Sequence, residues 1–116
     1  MEMRALTPGL SVTGQITPAD MPQIAAQGFR AIICNRPDGE EADQPSFGQV
    51  EHAARAAGLE MRYLPISHDD LTAPKAQAFA KLLADLPGPV LAYCRSGMRS
   101  ATLWSMAQSH QDHLAP

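Results

Sequence analysis

The chain has 116 residues, is 45% hydrophobic and 18% charged, and carries 9 Lys+Arg against 12 Asp+Glu for a net charge of −3. That length and apolar content suit one globular domain and exclude a disordered chain, and the missing basic surplus excludes a general binder of nucleic acid or anionic membrane. No run reaches the ~18 apolar residues of a membrane span, Met1-Glu2-Met3-Arg4 opens without a signal-peptide core, and Cys34 and Cys94 lack the number and spacing of a disulfide or metal framework. The expectation is a cytoplasmic domain over residues 1–108, followed by a pattern-free tail over 109–116. It has free thiols, needs no cofactor or metal, and has no nucleic-acid or membrane partner.

Leu10-Ser11-Val12-Thr13 alternates apolar and polar residues and predicts a short edge strand. Thr17-Pro18-Ala19-Asp20 is a helix start, with Met21, Ile24 and Ala25 on its apolar face and Gly28 to stop it. Ala31-Ile32-Ile33-Cys34 is apolar throughout, the pattern of a parallel strand covered on both faces. A polar loop from Asn35 to Glu41 follows. Ser46 and Gln49 make a capping box for a helix carrying Val50, Ala53, Ala54 and Ala57. Met61–Ile66 predicts a third strand, and His68-Asp69-Asp70-Leu71 a loop. A helix runs from about Pro74 to Leu86, with Phe79, Leu82, Leu83 and Leu86 inward, before Pro87-Gly88-Pro89 forbids its continuation. Val90-Leu91-Ala92-Tyr93 is the fourth strand, Cys94 to Arg99 a loop, and Ser100 opens the last helix.

Strands alternating with helices predict an α/β fold: a mostly parallel four- to five-stranded sheet with helices on both faces. In such a sheet the loops leaving the strands' carboxyl ends share one edge, where ligands bind. Three polar loops leave strand ends here: Asn35 to Glu41, Ser67 to Leu71, and Cys94 to Arg99.

Cys94 is the candidate nucleophile. It follows a buried strand and precedes a helix, so unpaired backbone N–H groups face its sulfur. Arg95 and Arg99 add positive charge, and each feature favours thiolate over thiol. Gly97 lets the loop bend so that the amides of Ser96, Gly97 and Met98 form an anion nest. Arg99 offers a fork of donors to a tetrahedral oxyanion, and the Ser100 hydroxyl is placed to donate to the thiolate or the leaving atom.

Cys94-Arg95-Ser96-Gly97-Met98-Arg99-Ser100 resembles the active loop of rhodanese-type sulfurtransferases. The strings Gly14-Gln15-Ile16-Thr17-Pro18, Gly28-Phe29, Asn35-Arg36-Pro37-Asp38-Gly39-Glu40-Glu41, Gln44-Pro45 and Leu64-Pro65-Ile66 resemble the beta-lactamase-hydrolase-like, phosphatase-like domain family. The match runs from about Leu10 to Trp104. It implies the layout of dual-specificity protein phosphatases. It also implies a module often fused to a metallo-hydrolase that oxidises persulfides.

Phosphatase signatures of that layout place a His before the Cys and five residues between Cys and Arg. Here Tyr93 precedes Cys94, and four residues separate Cys94 from Arg99. A shorter ring of amides suits a single sulfur better than a cradled phosphoryl group. The leading expectation is therefore a sulfurtransferase, in which Cys94 takes sulfane sulfur from thiosulfate or a small persulfide and passes it to a thiol. The alternative is a cysteine-dependent phosphatase, in which Arg99 clamps the phosphoryl oxygens. In the resembling phosphatases an Asp on a comparable loop protonates the leaving alcohol, which nominates Asp69 or Asp70 as general acid; each also reads as a solvated loop carboxylate. Arg36 reads as a second anion-binding group or as a residue that shapes its loop. Asp38 and Glu40 read as loop-shaping ion pairs, and Cys34 as a buried inert thiol ahead of a resolving one. His68, alone in its loop, reads as exposed, and His110 and His113 lack the partners of a metal site.

Overall fold

The computed structural model describes the backbone of residues 2–114 and side chains as far as Ser109. Five strands form one sheet: β1 (Arg4–Thr7), β2 (Leu10–Thr13), β3 (Ala31–Cys34), β4 (Glu60–Tyr63) and β5 (Val90–Tyr93). Their spatial order is β1-β2-β5-β3-β4. Only β1 and β2 are antiparallel; the β2–β5, β5–β3 and β3–β4 pairs are parallel. Four helices accompany them: α1 (Met21–Ala26), α2 (Phe47–Ala56), α3 (Ala73–Asp85) and α4 (Met98–Leu114). Among the described residues, no helix is long and apolar enough to cross a membrane.

The period-two alternation of the strands sorts the core into two layers. Ala31, Ile33, Val90, Ala92, Leu10 and Val12 pack on the face covered by Ala76 and Phe79 of α3 and Leu103 and Ala107 of α4. Ile32, Cys34, Leu91 and Tyr93 pack on the other face, against Met21 and Ile24 of α1 and Val50 and Ala54 of α2. This is the α/β architecture expected, with helices on both faces.

Several local expectations need correction. Leu10–Thr13 is not the edge strand, because β1 pairs outside it. Its Arg4-Ala5-Leu6-Thr7 is short and mostly exposed, and gives little apolar signal. Regular pairing of β4 stops at Tyr63, short of Ile66. Pro65 has no N–H to continue the ladder, although Leu64 and Ile66 still donate to the carbonyls of Cys34 and Asn35 at 2.9 Å each. Helix α4 opens at Met98 rather than Ser100, which puts Arg99 in its first turn, and its backbone runs on to Leu114 across the expected tail. The side chains of His110 and His113 lie outside the described residues.

Register decides where the loops go. Thr13 and Cys34 both stand opposite Tyr93, and Tyr63 stands opposite Cys34. The carboxyl ends of β2, β3, β4 and β5 therefore form one row. The segments that follow, starting at Gly14, Asn35, Leu64 and Cys94, rise from the same edge.

Candidate active site

Cys94 leaves β5 with its amide near the Thr13 carbonyl (3.4 Å), and its residue is 1% exposed. The sulfur sits under its own loop and accepts a hydrogen bond from the Gly97 amide at 3.0 Å. Gly97 has φ +93°, and a Cβ there would stand 3.3 Å from both the carbonyl carbon and oxygen of Thr13. The left-handed turn that aims this amide at the sulfur is thus open only to glycine.

The end of β2 clamps the loop from below. Gln15 donates its amide to the Arg95 carbonyl at 3.2 Å. A Cβ on Gly14 would lie 2.8 Å from that same oxygen. The Gly14-Gln15 pair in the sequence therefore marks a close backbone approach to the cysteine loop.

Arg99 is buried and held by three bonds. Its Nη1 donates to Glu40 Oε2 and to the Ile66 carbonyl, each at 2.7 Å, and its Nη2 donates to Glu40 Oε1 at 2.9 Å. Both Nη1 protons and one Nη2 proton are thereby used. The Nε proton and the outer Nη2 proton make up the remaining edge of the fork. Glu40 raises the Arg99 pKa most, and Cys94 is a lesser neighbour acting in the same direction.

Glu40 is the hinge of an ion-pair network. Besides Arg99 it accepts from Arg36 Nε at 3.0 Å. The Arg99 bonds, reinforced by Arg36, hold its carboxyl down to about 2 against the opposing effect of burial. Arg36 is itself buried, with Nη1 on Gln15 Oε1 at 3.0 Å and Nη2 on Glu41 Oε1 at 2.9 Å. Every nitrogen of Arg36 is thus directed at a protein partner, the loop-shaping arrangement rather than an open anion site. Glu41 Oε1 also takes Arg95 Nε at 3.0 Å, at the exposed mouth of the loop.

Ser100 departs from expectation. Its hydroxyl donates to Asn35 Oδ1 at 2.8 Å instead of to the thiolate, while Asn35 Nδ2 reaches the Leu64 carbonyl at 3.0 Å. A hydroxyl has one proton, and here it braces the Asn35 and Cys94 loops against each other. The Met98 amide turns to Ser96 Oγ at 3.4 Å.

A cleft of about 430 Å³ opens beside the loop, lined by His68, Leu71, Arg95, Ser96, Met98, Arg99 and Thr102. The turn over His68–Asp70 reaches its rim. His68 and Leu71 line it, whereas Asp69 is exposed beyond the lining and Asp70 pairs with Lys75 Nζ at 3.5 Å. Cys34 is a separate matter: burial pushes its thiol up to about 11, and it donates to the Arg36 carbonyl at 3.3 Å. It is a buried thiol that ties β3 to its loop.

Two residues of the candidate site were weakly marked in the sequence. Glu40 stands four residues after Arg36, which signals a local pair but not its bond to Arg99 across the fold. His68 lines the cleft because the chain turns at Ser67, a feature without apolar periodicity to reveal it.

The chain matches the family "Beta-lactamase hydrolase-like protein, phosphatase-like domain" over residues 2–111. A beta-lactamase hydrolase-like protein of Agrobacterium fabrum is 41% identical over 100 residues, covering 86% of this chain and 23% of its own length. One from Xylella fastidiosa is 36% identical over 99 residues, covering 85% and 23%. The chain thus spans about a quarter of these relatives. Among solved structures, a candidate phosphatase from Neisseria meningitidis superposes with TM-score 0.85 at 36% identity, covering 97% of this chain and 78% of the other. The core catalytic domain of a PP-IP phosphatase from S. cerevisiae superposes with TM-score 0.71 at 10% identity, covering 95% and 66%. That last likeness shows the fold alone. These relatives favour the phosphatase alternative of the sequence reading and give no support to sulfur transfer. The chain belongs to the beta-lactamase hydrolase-like, phosphatase-like domain family and has the cysteine-phosphatase-like α/β fold.

Proposed function

We propose that the domain is a cysteine-dependent phosphatase acting on phosphomonoesters. One observation carries the reading: Glu40 and the Ile66 carbonyl fix the Arg99 guanidinium in the wall of the cleft beside the Cys94 loop. A guanidinium fixed in that way costs little reorganisation when an oxyanion arrives. The Gly97 amide meets the Cys94 sulfur itself at 3.0 Å. The thiolate of Cys94 attacks phosphorus, an S–P bond forms, and the P–O bond to the alcohol breaks. Arg99 holds the phosphoryl oxygens. The departing alkoxide takes a proton from the turn at the cleft rim. Asp69 is the better donor there, since Asp70 is engaged by Lys75. Water then cleaves the S–P bond and releases phosphate.

The test is steady hydrolysis of an aryl phosphate by the purified domain. Wild type should turn over, Cys94→Ser should not, and Asp69→Asn should flatten the alkaline limb of the pH–rate profile. No turnover on activated aryl phosphates removes the reading.

A second reading, sulfur transfer through a Cys94 persulfide, has one feature in its favour: only four residues separate Cys94 from Arg99. Gain of one sulfur on Cys94 after thiosulfate treatment, with thiocyanate formed on adding cyanide, would establish it over phosphate hydrolysis.

A further inference from the structure

Cys94 and Arg99 account for the loop, but not for the size or the lining of the cleft beside it. Two apolar side chains, Leu71 and Met98, also line it. Met98 is 71% exposed, far more than the next large exposed hydrophobic residue, Tyr63 at 38%. Apolar side chains on a concave surface are the usual lining of a site that takes an organic group.

Charge argues for the same kind of occupant. Among the described residues, no carboxylate lines the cleft. The cation at its mouth, Arg95, is already paired with Glu41 at 3.0 Å. A second anionic group on the substrate would compete with Glu41 for Arg95, and Glu41 also serves Arg36. An uncharged apolar group has no such competitor.

We propose that Leu71 and Met98 form a subsite for the organic part of the substrate, so that the domain selects phosphomonoesters of uncharged, apolar alcohols over inorganic or multiply charged phosphates. This rests on the phosphatase reading and names its substrate class.

Binding of non-hydrolysable probes to the intact domain, followed by calorimetry, tests it without relying on turnover. Phenylphosphonate should bind about tenfold more tightly than methylphosphonate, in keeping with burial of one ring. Leu71→Ser and Met98→Ser should each cut that ratio severalfold. Met98 is exposed, so its substitution leaves the fold intact. Equal affinity for the two phosphonates, an unchanged ratio in both variants, or tighter binding of pyrophosphate than of phenylphosphonate would each overturn the subsite while leaving the phosphatase reading in place. Failure of inorganic phosphate and both phosphonates to bind at all would instead overturn the phosphatase reading, and the subsite with it.

Discussion

At the residue scale, Glu40 is where position and charge meet. Its side chain is 24% exposed, yet it bonds two buried arginines. Glu40→Gln keeps the shape but removes the charge, leaving Arg36 and Arg99 without their shared counter-ion. We expect a loss of ~1–3 kcal/mol in chemical denaturation. We also expect a raised KM for the aryl phosphate, because the Arg99 fork is no longer fixed. An unchanged KM would separate Glu40 from the site. Gly14→Ala tests the clamp under the cysteine loop. A methyl group 2.8 Å from the Arg95 carbonyl must push the loop away, and misplacing catalytic atoms by about 1 Å can cost on the order of a hundredfold in rate. The expected result is a fall in kcat with a folded circular-dichroism spectrum. Wild-type kcat would show that the loop does not depend on this contact.

At the element scale, the start of α2 was written plainly in the sequence. Ser46 and Gln49 cap α2 reciprocally, with Gln49 N on Ser46 Oγ at 3.1 Å and Ser46 N on Gln49 Oε1 at 2.9 Å. Ser46→Ala should lower stability by ~1 kcal/mol in a thermal melt and leave turnover unchanged; a loss of turnover would mean that α2 is coupled to the site. The strands Ala31–Cys34 and Val90–Tyr93 were equally legible, since full burial leaves an unbroken apolar run. Strand β1 was not, because an outer strand needs no apolar pattern. The site divides in the same way. Cys94, Gly97 and Arg99 announce themselves within one short loop. The bond from Glu40 to Arg99 spans 59 positions, and the turn of Ser100 toward Asn35 spans 65. Neither is visible until register has brought the loops together.

At the scale of the whole molecule, the parallel register gathers four loops on one edge, and the Arg36–Glu40–Arg99 network joins two of them. This links folding to pH. The Glu40 carboxyl titrates at about 2 in the fold against an ordinary 4.5, with the Arg99 bond as the main cause. Its contribution is complete above the unfolded value and disappears as pH falls from about 4.5 to about 2. Urea midpoints of the wild type should drop through that window. Glu40→Gln should show a shallower drop, and parallel profiles for the two proteins would mean that the network does not stabilise the fold.

The most direct test of the central claim asks whether a covalent intermediate forms on Cys94. Wild-type domain mixed with an aryl phosphate, quenched in acid within the first turnovers and digested, should yield a phosphorylated peptide containing Cys94, absent from Cys94→Ser. Phosphate released while that peptide stays unmodified, or turnover that persists in Cys94→Ser, would contradict the account.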